Sequence, residues 1–363
     1  MRRRHFVGGV LGAAGAVAFG SVGAARAAAG AWEQMAAPDG QPAAVLNAVA
    51  AGGQAAAWAV GEEARSGGTR GRPLALHWNG SSWSRTGVPA FPGSLRTVAS
   101  GAPDAAWAVG YDTTGADHLL SFTGTDWRET TFPGRGEAGT ELYGVATHGG
   151  EVWVSGRYSG GSCLLHFDGS SWRWTPPLPG GAAPALWSAY TARDGSAWVG
   201  GDAVARFDGS SWQPLPALPG LRPVATGVLP LSATDVWVTG HDYGIGGPPG
   251  KPPSVLLLHY DGSAWTKVAT PFTVGSLSGI AAAADGQPAF ISGWDFWDDT
   301  SAHYLRWEAG NWVTVRGPAA PSGKAAMMNG IARIPGTGDY LSVGTDASSP
   351  FPPAQLRIER YEA

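Results

Sequence analysis

What this chain lacks narrows the possibilities first. It has a single cysteine, Cys163, so no disulfide can form within it. Cys163 opens the apolar run Cys163-Leu164-Leu165, where a buried, inert thiol is the expectation. Basic runs are absent beyond residue 27 as well, and the formal charge of the whole chain is −4. That argues against nucleic acid or anionic lipid as a partner. Beyond the first 27 residues no stretch approaches the unbroken apolar length of a membrane span. No amphipathic stretch of helical period stands out, and His-Glu-x-x-His, Gly-x-Ser-x-Gly and Cys-x-x-Cys signatures are all missing. The Gly/Pro segment 246–253 lacks the N–H donors that a phosphate loop needs, and reads as a stiff surface insertion.

The first residues read as an address. Arg3-Arg4-His5-Phe6-Val7 is a twin-arginine followed by a weakly apolar Gly/Ala run, and Ala25-Arg26-Ala27 is a small-x-small cleavage site. Residues 1–27 are therefore expected to be a twin-arginine signal peptide, and 28–363 a single exported domain with no membrane attachment. Cleavage would remove four arginines and no acids, taking the charge from −4 to −8. No cysteine follows the site to carry a lipid.

The rest of the chain is built on repetition. An apolar run, an aromatic, a polar turn and a tryptophan recur as LALHWNGSSW (74–83), LLSFTGTDW (119–127), LLHFDGSSW (164–172), VARFDGSSW (204–212), LLHYDGSAW (257–265) and YLRWEAGNW (304–312). A second phrase ending in glycine precedes each, from AAAWAVG (55–61) to DYLSVG (339–344), in seven copies. Ahead of that lies a third, small and apolar segment, such as VLNAVA (45–50) or LWSAYT (186–191). Short aromatic-rich runs bounded by Gly, Asp and Pro are strands. Seven units of about 48 residues, each reading as strands a, b, c and d, predict an all-β, seven-bladed β-propeller with four antiparallel strands per blade.

The two ends complete one another. Arg360-Tyr361-Glu362-Ala363 joined to Gly30-Ala31-Trp32 restores the phrase seen at Arg306–Trp312. The expectation is that an N-terminal strand at 32–36 pairs with a C-terminal strand at 356–361 to close the last blade. The Asp-Gly of the c–d connection, as in Asp168-Gly169, is expected to form a tight hairpin with positive φ at its central residues.

These units resemble the Kelch type of propeller and the central domain of galactose oxidase-like proteins. The likeness rests on Trp198-Val199-Gly200-Gly201, then Phe207-Asp208-Gly209-Ser210-Ser211-Trp212 and Pro214. It spans the mature chain at the level of the repeat and implies fold rather than activity. The copper chemistry of galactose oxidase is not carried over, because Cys163 lies in a repeat strand and no matching constellation accompanies it.

Candidate function concentrates in the b–c loops. Two residues after the strand-b glycine stands an acid in six of the seven units: Glu63, Asp112, Asp202, Asp242, Asp295 and Asp346, with Tyr158 in the third. Each suits backbone capping of its own loop. Together they would also suit cations or sugar hydroxyls. In the sixth loop, Trp294 and Trp297 fall outside the repeat positions and stand among Asp295, Asp298 and Asp299. Aromatic platforms beside carboxylates fit a sugar ring, and closely spaced carboxylates fit calcium or another divalent cation, although no cofactor is firmly implied. The bland alternative is that both rings cap neighbouring blades. His241 beside Asp242 is the histidine that suits a ligand role, whereas His77, His166 and His259 share one strand-c position and suit packing. The expectation is a secreted, monomeric, non-catalytic scaffold that binds an extracellular glycan or protein through the variable b–c face. Two alternatives stand beside it: an exported carboxylate- or metal-dependent hydrolase, lyase or oxidase, and a purely structural envelope component.

Overall fold

The computed structural model describes residues 30–41, 43–66, 69–181, 183–245, 253–347 and 354–363. The expected signal peptide, 1–27, and most of the Gly/Pro segment, 246–252, lie outside the described residues.

Seven four-stranded antiparallel sheets follow one another round a ring. In order a to d, blade I is Val45–Gly53, Ala56–Glu63, Arg72–Trp78 and Trp83–Arg85. Blade II is Gly93–Ala102, Ala105–Asp112, Asp117–Phe122 and Trp127–Glu129, and blade III is Glu141–His148, Glu151–Tyr158, Gly161–Phe167 and Trp172–Trp174. Blade IV, the shortest, is Ser188–Thr191, Ala197–Gly200, Ala205–Phe207 and Trp212–Pro214. Blade V is Pro223–Ser232, Asp235–Asp242, Ser254–Tyr260 and Trp265–Lys267, with a 3-10 turn at Tyr243–Ile245. Blade VI is Gly275–Ala282, Pro288–Asp295, Ser301–Glu308 and Asn311–Ala319.

Blade VII takes Ala325–Arg333, Tyr340–Ala347 and Ala354–Glu362 from the C-terminal end and Ala31–Gln34 from the N-terminal end. Trp32 pairs with Tyr361 and Gln34 with Glu359, and the Met35 N–H continues the ladder to the Ile358 carbonyl at 2.9 Å. The ring closes as its split repeat predicts.

Burial explains the composition of each strand. The b strands sit between neighbouring sheets, so both their faces are covered and alternation disappears; every residue of Ala56–Glu63 is buried. The cores lie between blades: Leu46, Leu76 and Trp83 of blade I pack with Leu341, Val343 and Ile358 of blade VII. The strand-c histidines pack on the strand-b tryptophans, as His166 does on Trp153 with ring centroids 3.6 Å apart.

The c–d turns depart from expectation. Four residues, Asp168 to Ser171, separate the paired Phe167 and Trp172, and only Gly169 among them has positive φ (92°). The Asp168 carboxylate instead accepts the N–H groups of Ser170 and Ser171, both at 2.9 Å, so the side chain closes the loop. The two-residue turn with positive φ at both positions occurs where the aspartate is missing, at Ala309 (47°) and Gly310 (84°) between the paired Glu308 and Asn311.

Candidate ligand-binding face

The b–c loops and the d–a connections emerge on one side of the ring, and six members of the acidic series stand at its edge. Most of these carboxylates are engaged in holding loops. Glu63 takes the Gln41 N–H (3.0 Å) together with Arg72 (2.9 Å) and Arg85. Its burial would raise its pKa, but these bonds from Arg85, Gln41 and Arg72 prevail and lower it to about 2. Asp112 caps Thr114 and Ala116 of its own loop. Asp202 accepts from Ala185 N–H (3.1 Å), and Asp242 from Leu221, Arg222 and Gly244 (3.1, 3.0 and 2.8 Å). Asp346 is bound to buried Arg357 at 2.7 Å. In the third blade Tyr158 stacks on Trp174 instead. In Asp202, Asp242 and Glu63, the partner N–H belongs to the segment entering strand a, so each carboxylate ties two connections of one blade together.

The sixth loop folds largely on itself. Phe296 lies edge-on to both Trp294 (5.7 Å) and Trp297 (4.7 Å), and the Asp295 carboxylate accepts the Trp297 N–H at 2.9 Å. Asp298 is held by Thr300 and Arg316, which lower its pKa, while burial pushes that of Asp299 up. Beneath them His303 is buried, 4.0 Å from both the Asp295 and Asp298 carboxylates; desolvation, reinforced by Arg316, lowers its pKa to about 4. Among the described residues, no three His, Cys, Asp or Glu side chains converge to hold a metal ion.

The fifth loop is a separate neighbourhood. His241 lies edge-on to Tyr243, ring centroids 4.5 Å apart, with its pKa lowered by burial. Both line a cavity of about 680 Å³ with Trp187, Asp202 and Arg222, and neither Trp294 nor Trp297 borders it. The structure thus keeps the fifth- and sixth-loop candidates in two sectors of one face.

Trp187 escaped the reading of the sequence. It lies in LWSAYT, a segment read as inner strand, yet it is half exposed. Its position repeats in every blade as Asn47, Arg96, Tyr143, Trp187, Thr226, Ser278 and Asn329. Except at blade IV, these residues sit at a β-bulge in strand a, which turns the side chain toward the channel mouth. Five of them make the same bond to the next blade: Asn47 to Leu95 O (2.7 Å), Arg96 to Leu142 O (3.1 Å), Thr226 to Leu277 O (2.5 Å), Ser278 to Met328 O (2.7 Å) and Asn329 to Leu46 O (2.8 Å). Tyr143 and Trp187 are the exceptions, and their rings meet at 5.0 Å. Their blades are joined lower down, by Thr191 to Thr147 O and Tyr190 to Thr226 O, both 3.0 Å.

The channel is lined by strand a of all seven blades and encloses about 760 Å³. Its far mouth, on the side of the a–b turns, is spanned by Arg193 of blade IV reaching the Ala284 carbonyl of blade VI at 2.9 Å. Among the described residues, four large hydrophobic side chains are exposed: Trp187 (47%), Leu221 (75%), Tyr243 (54%) and Trp297 (69%). All four belong to the b–c face.

Fold and face together define a seven-bladed β-propeller with an aromatic upper rim. No protein-family model and no curated protein matches the chain, so the Kelch likeness stays at the level of the repeat. Among solved structures the chain is similar to YCF48 from Cyanidioschyzon merolae, at 14% identity and TM-score 0.58, covering 92% of this chain and 99% of that one. It is similar to the BP39L lectin from Burkholderia pseudomallei at 15% identity and TM-score 0.56, covering 90% and 99%. It also resembles the GH74 xyloglucanase from Xanthomonas campestris at 17% identity and TM-score 0.57, covering 90% of this chain but 55% of that one. At these identities the likeness is one of fold.

Proposed function

We propose that this protein is an exported, monomeric, non-catalytic binding module that recognises an extracellular glycan or protein through its b–c face. The observation that carries this reading is the placement of Trp187, Leu221, Tyr243 and Trp297, all exposed and all on that one side. Exposed aromatic rings gathered on one surface favour ligand contact over solvation. A lectin among the structures of the same fold makes a glycan a natural class to test. The commitment of the acidic series to backbone and arginine partners supports binding over acid–base chemistry.

A glycan array and a pull-down against secreted proteins, run on the wild type and three variants, test the proposal. Trp187→Ala or Trp297→Ala is expected to abolish the interaction found, and His148→Ala, on the opposite face, to leave it intact. An interaction lost only in His148→Ala, or no interaction in either assay, overturns the reading.

A further inference from the structure

We infer that the sector from Arg96 to Trp187 is a subsite for an acidic saccharide, with a uronate carboxylate on the Arg96 guanidinium and sugar rings against Trp187. The inference rests on the b–c face being the binding face, and it names the ligand class there.

Arg96 is half-buried, and its guanidinium lies against Tyr111 at 4.0 Å and Tyr143 at 5.6 Å. Both rings pack against the guanidinium and help hold it in place, and its N–H groups are the part that a ligand can meet. One of its nitrogens bonds Leu142 O. Among the described residues, no carboxylate lies within ion-pair distance of Arg96, and its other two nitrogens have no partner. The acids of its neighbourhood are engaged elsewhere. Asp117 accepts the Leu142 N–H at 2.8 Å, with its pKa pushed up to about 6 chiefly by burial. Glu141 holds the Tyr143 hydroxyl and faces Arg157 at 3.8 Å. A planar, fixed, unmatched guanidinium is suited to a carboxylate, which it can bind through two parallel hydrogen bonds.

Arg70, which is ion-paired with Glu62 at 3.2 Å, covers Tyr111 at 4.8 Å on one side, and Tyr143 leads to Trp187 on the other. Beyond Trp187 the same wall continues as the cavity with Arg222, His241 and Tyr243. Along this rim Arg96 is a cation without an ion pair among the described residues, with Tyr143 and Trp187 beside it, which fits a ligand that presents a carboxylate next to flat C–H faces. A purely apolar ligand would leave Arg96 desolvated and unmatched.

The fold itself supplies the cleanest variant. Asn47 and Asn329 occupy the same bulge and make the same inter-blade bond that Arg96 makes. Arg96→Asn should thus keep the ring's stitching and remove the guanidinium. Titration calorimetry with polygalacturonate, alginate and hyaluronate oligosaccharides, each beside its carboxyl-reduced counterpart, provides the test. At least one uronate is expected to bind. Its affinity is expected to fall tenfold or more on carboxyl reduction, in Arg96→Asn and in Trp187→Ala, with the melting temperature of Arg96→Asn unchanged. Equal binding of reduced and native oligosaccharides, or no binding of any of them, overturns the subsite. If a neutral glycan or an acidic peptide binds instead and is lost in Trp187→Ala, the acidic saccharide is refuted while the binding face stands.

Discussion

Truncating Trp32 tests whether the ring is held shut by a strand that no turn joins to its blade. The side chain is 5% exposed, stacked on Tyr304 at 3.8 Å, edge-on to Phe290 at 5.5 Å and tilted against Tyr361 at 5.6 Å. Replacing a buried tryptophan by alanine costs about 3–5 kcal/mol. The indole N–H is, however, buried with no acceptor among the described residues, and removing it returns about 1–2 kcal/mol. Trp32→Ala should therefore destabilise by about 2–3 kcal/mol, a fall of about 3–5 °C in a chain of this size. Trp127 is the matched control. It holds the same place in blade II, is equally buried, and donates its indole N–H to Thr86 at 3.1 Å, so its truncation loses a satisfied bond as well. The difference lies in where the damage appears. Strand 127–129 is tethered to its neighbour through the turn at Gly124, whereas Ala31–Gln34 is held to Ala354–Glu362 by contact alone. Hydrogen exchange should show amides 31–35 opening locally in Trp32→Ala, well below the cost of global unfolding, while Trp127→Ala loses more stability without such release. Exchange at 31–35 that stays as slow as global unfolding in Trp32→Ala would refute the latch.

Three further expectations follow from buried groups. The lowered pKa of Glu63 means that its ion pairs stabilise the fold above the unfolded value of 4.5 and lose that effect as pH falls toward about 2. Glu63→Gln should remove about 1–2 kcal/mol of acid-dependent stability after screening by its partly exposed arginines, measured as a flatter denaturation midpoint between those pH values. Arg357, wholly buried, bridges Asp346 at 2.7 Å and Glu359 at 2.5 Å. Arg357→Ala strands two buried carboxylates and should cost about 3–5 kcal/mol in urea unfolding, much of it recovered when Asp346→Asn and Glu359→Gln accompany Arg357→Met. Burial pushes the Cys163 thiol up to about 12, so iodoacetamide at mildly alkaline pH should leave the folded protein unmodified and label it in denaturant.

The fold was legible because each blade repeats the same chemistry, and because the two half-phrases at Trp32 and Tyr361 can be matched by eye. The roles of the acids were less so. Capping of the loop by its own acid describes Asp112 and Asp295, but Asp242 mostly holds Leu221 and Arg222, which are distant in sequence and adjacent only once strands a and b have paired. The c–d turn shows the same limit: Asp-Gly marks the place of the turn, while the serines after it set the length of the loop.

Trp187 was invisible for a more specific reason. Period-two reading of LWSAYT assigns alternate residues to the two faces of a strand, and both faces of an inner strand are covered by neighbouring blades. Trp187 instead stands one residue ahead of the strand Ser188–Thr191, outside the ladder that imposes the alternation, whereas in the other six blades the matching residue leaves the ladder at a bulge. Once that displacement from the ladder is known, the seven residues at this position form one series, and its function in the ring becomes readable. Five polar members stitch blade to blade, each bond contributing about 0.5–1.5 kcal/mol. Tyr143 and Trp187 forgo that bond, and Thr191 and Tyr190 join their blades deeper in the channel. Burying Tyr143 recovers apolar contact, but Trp187 remains half exposed, so packing alone leaves its position unexplained. The stitching has been moved down the channel on both sides of blade IV, next to the sector where Arg96 keeps its bond to Leu142 O and stands without an ion pair among the described residues. The displaced stitching and the guanidinium without an ion pair therefore meet at the same stretch of rim, which is why the ligand is sought there rather than among the more conspicuous tryptophans and aspartates of the sixth loop.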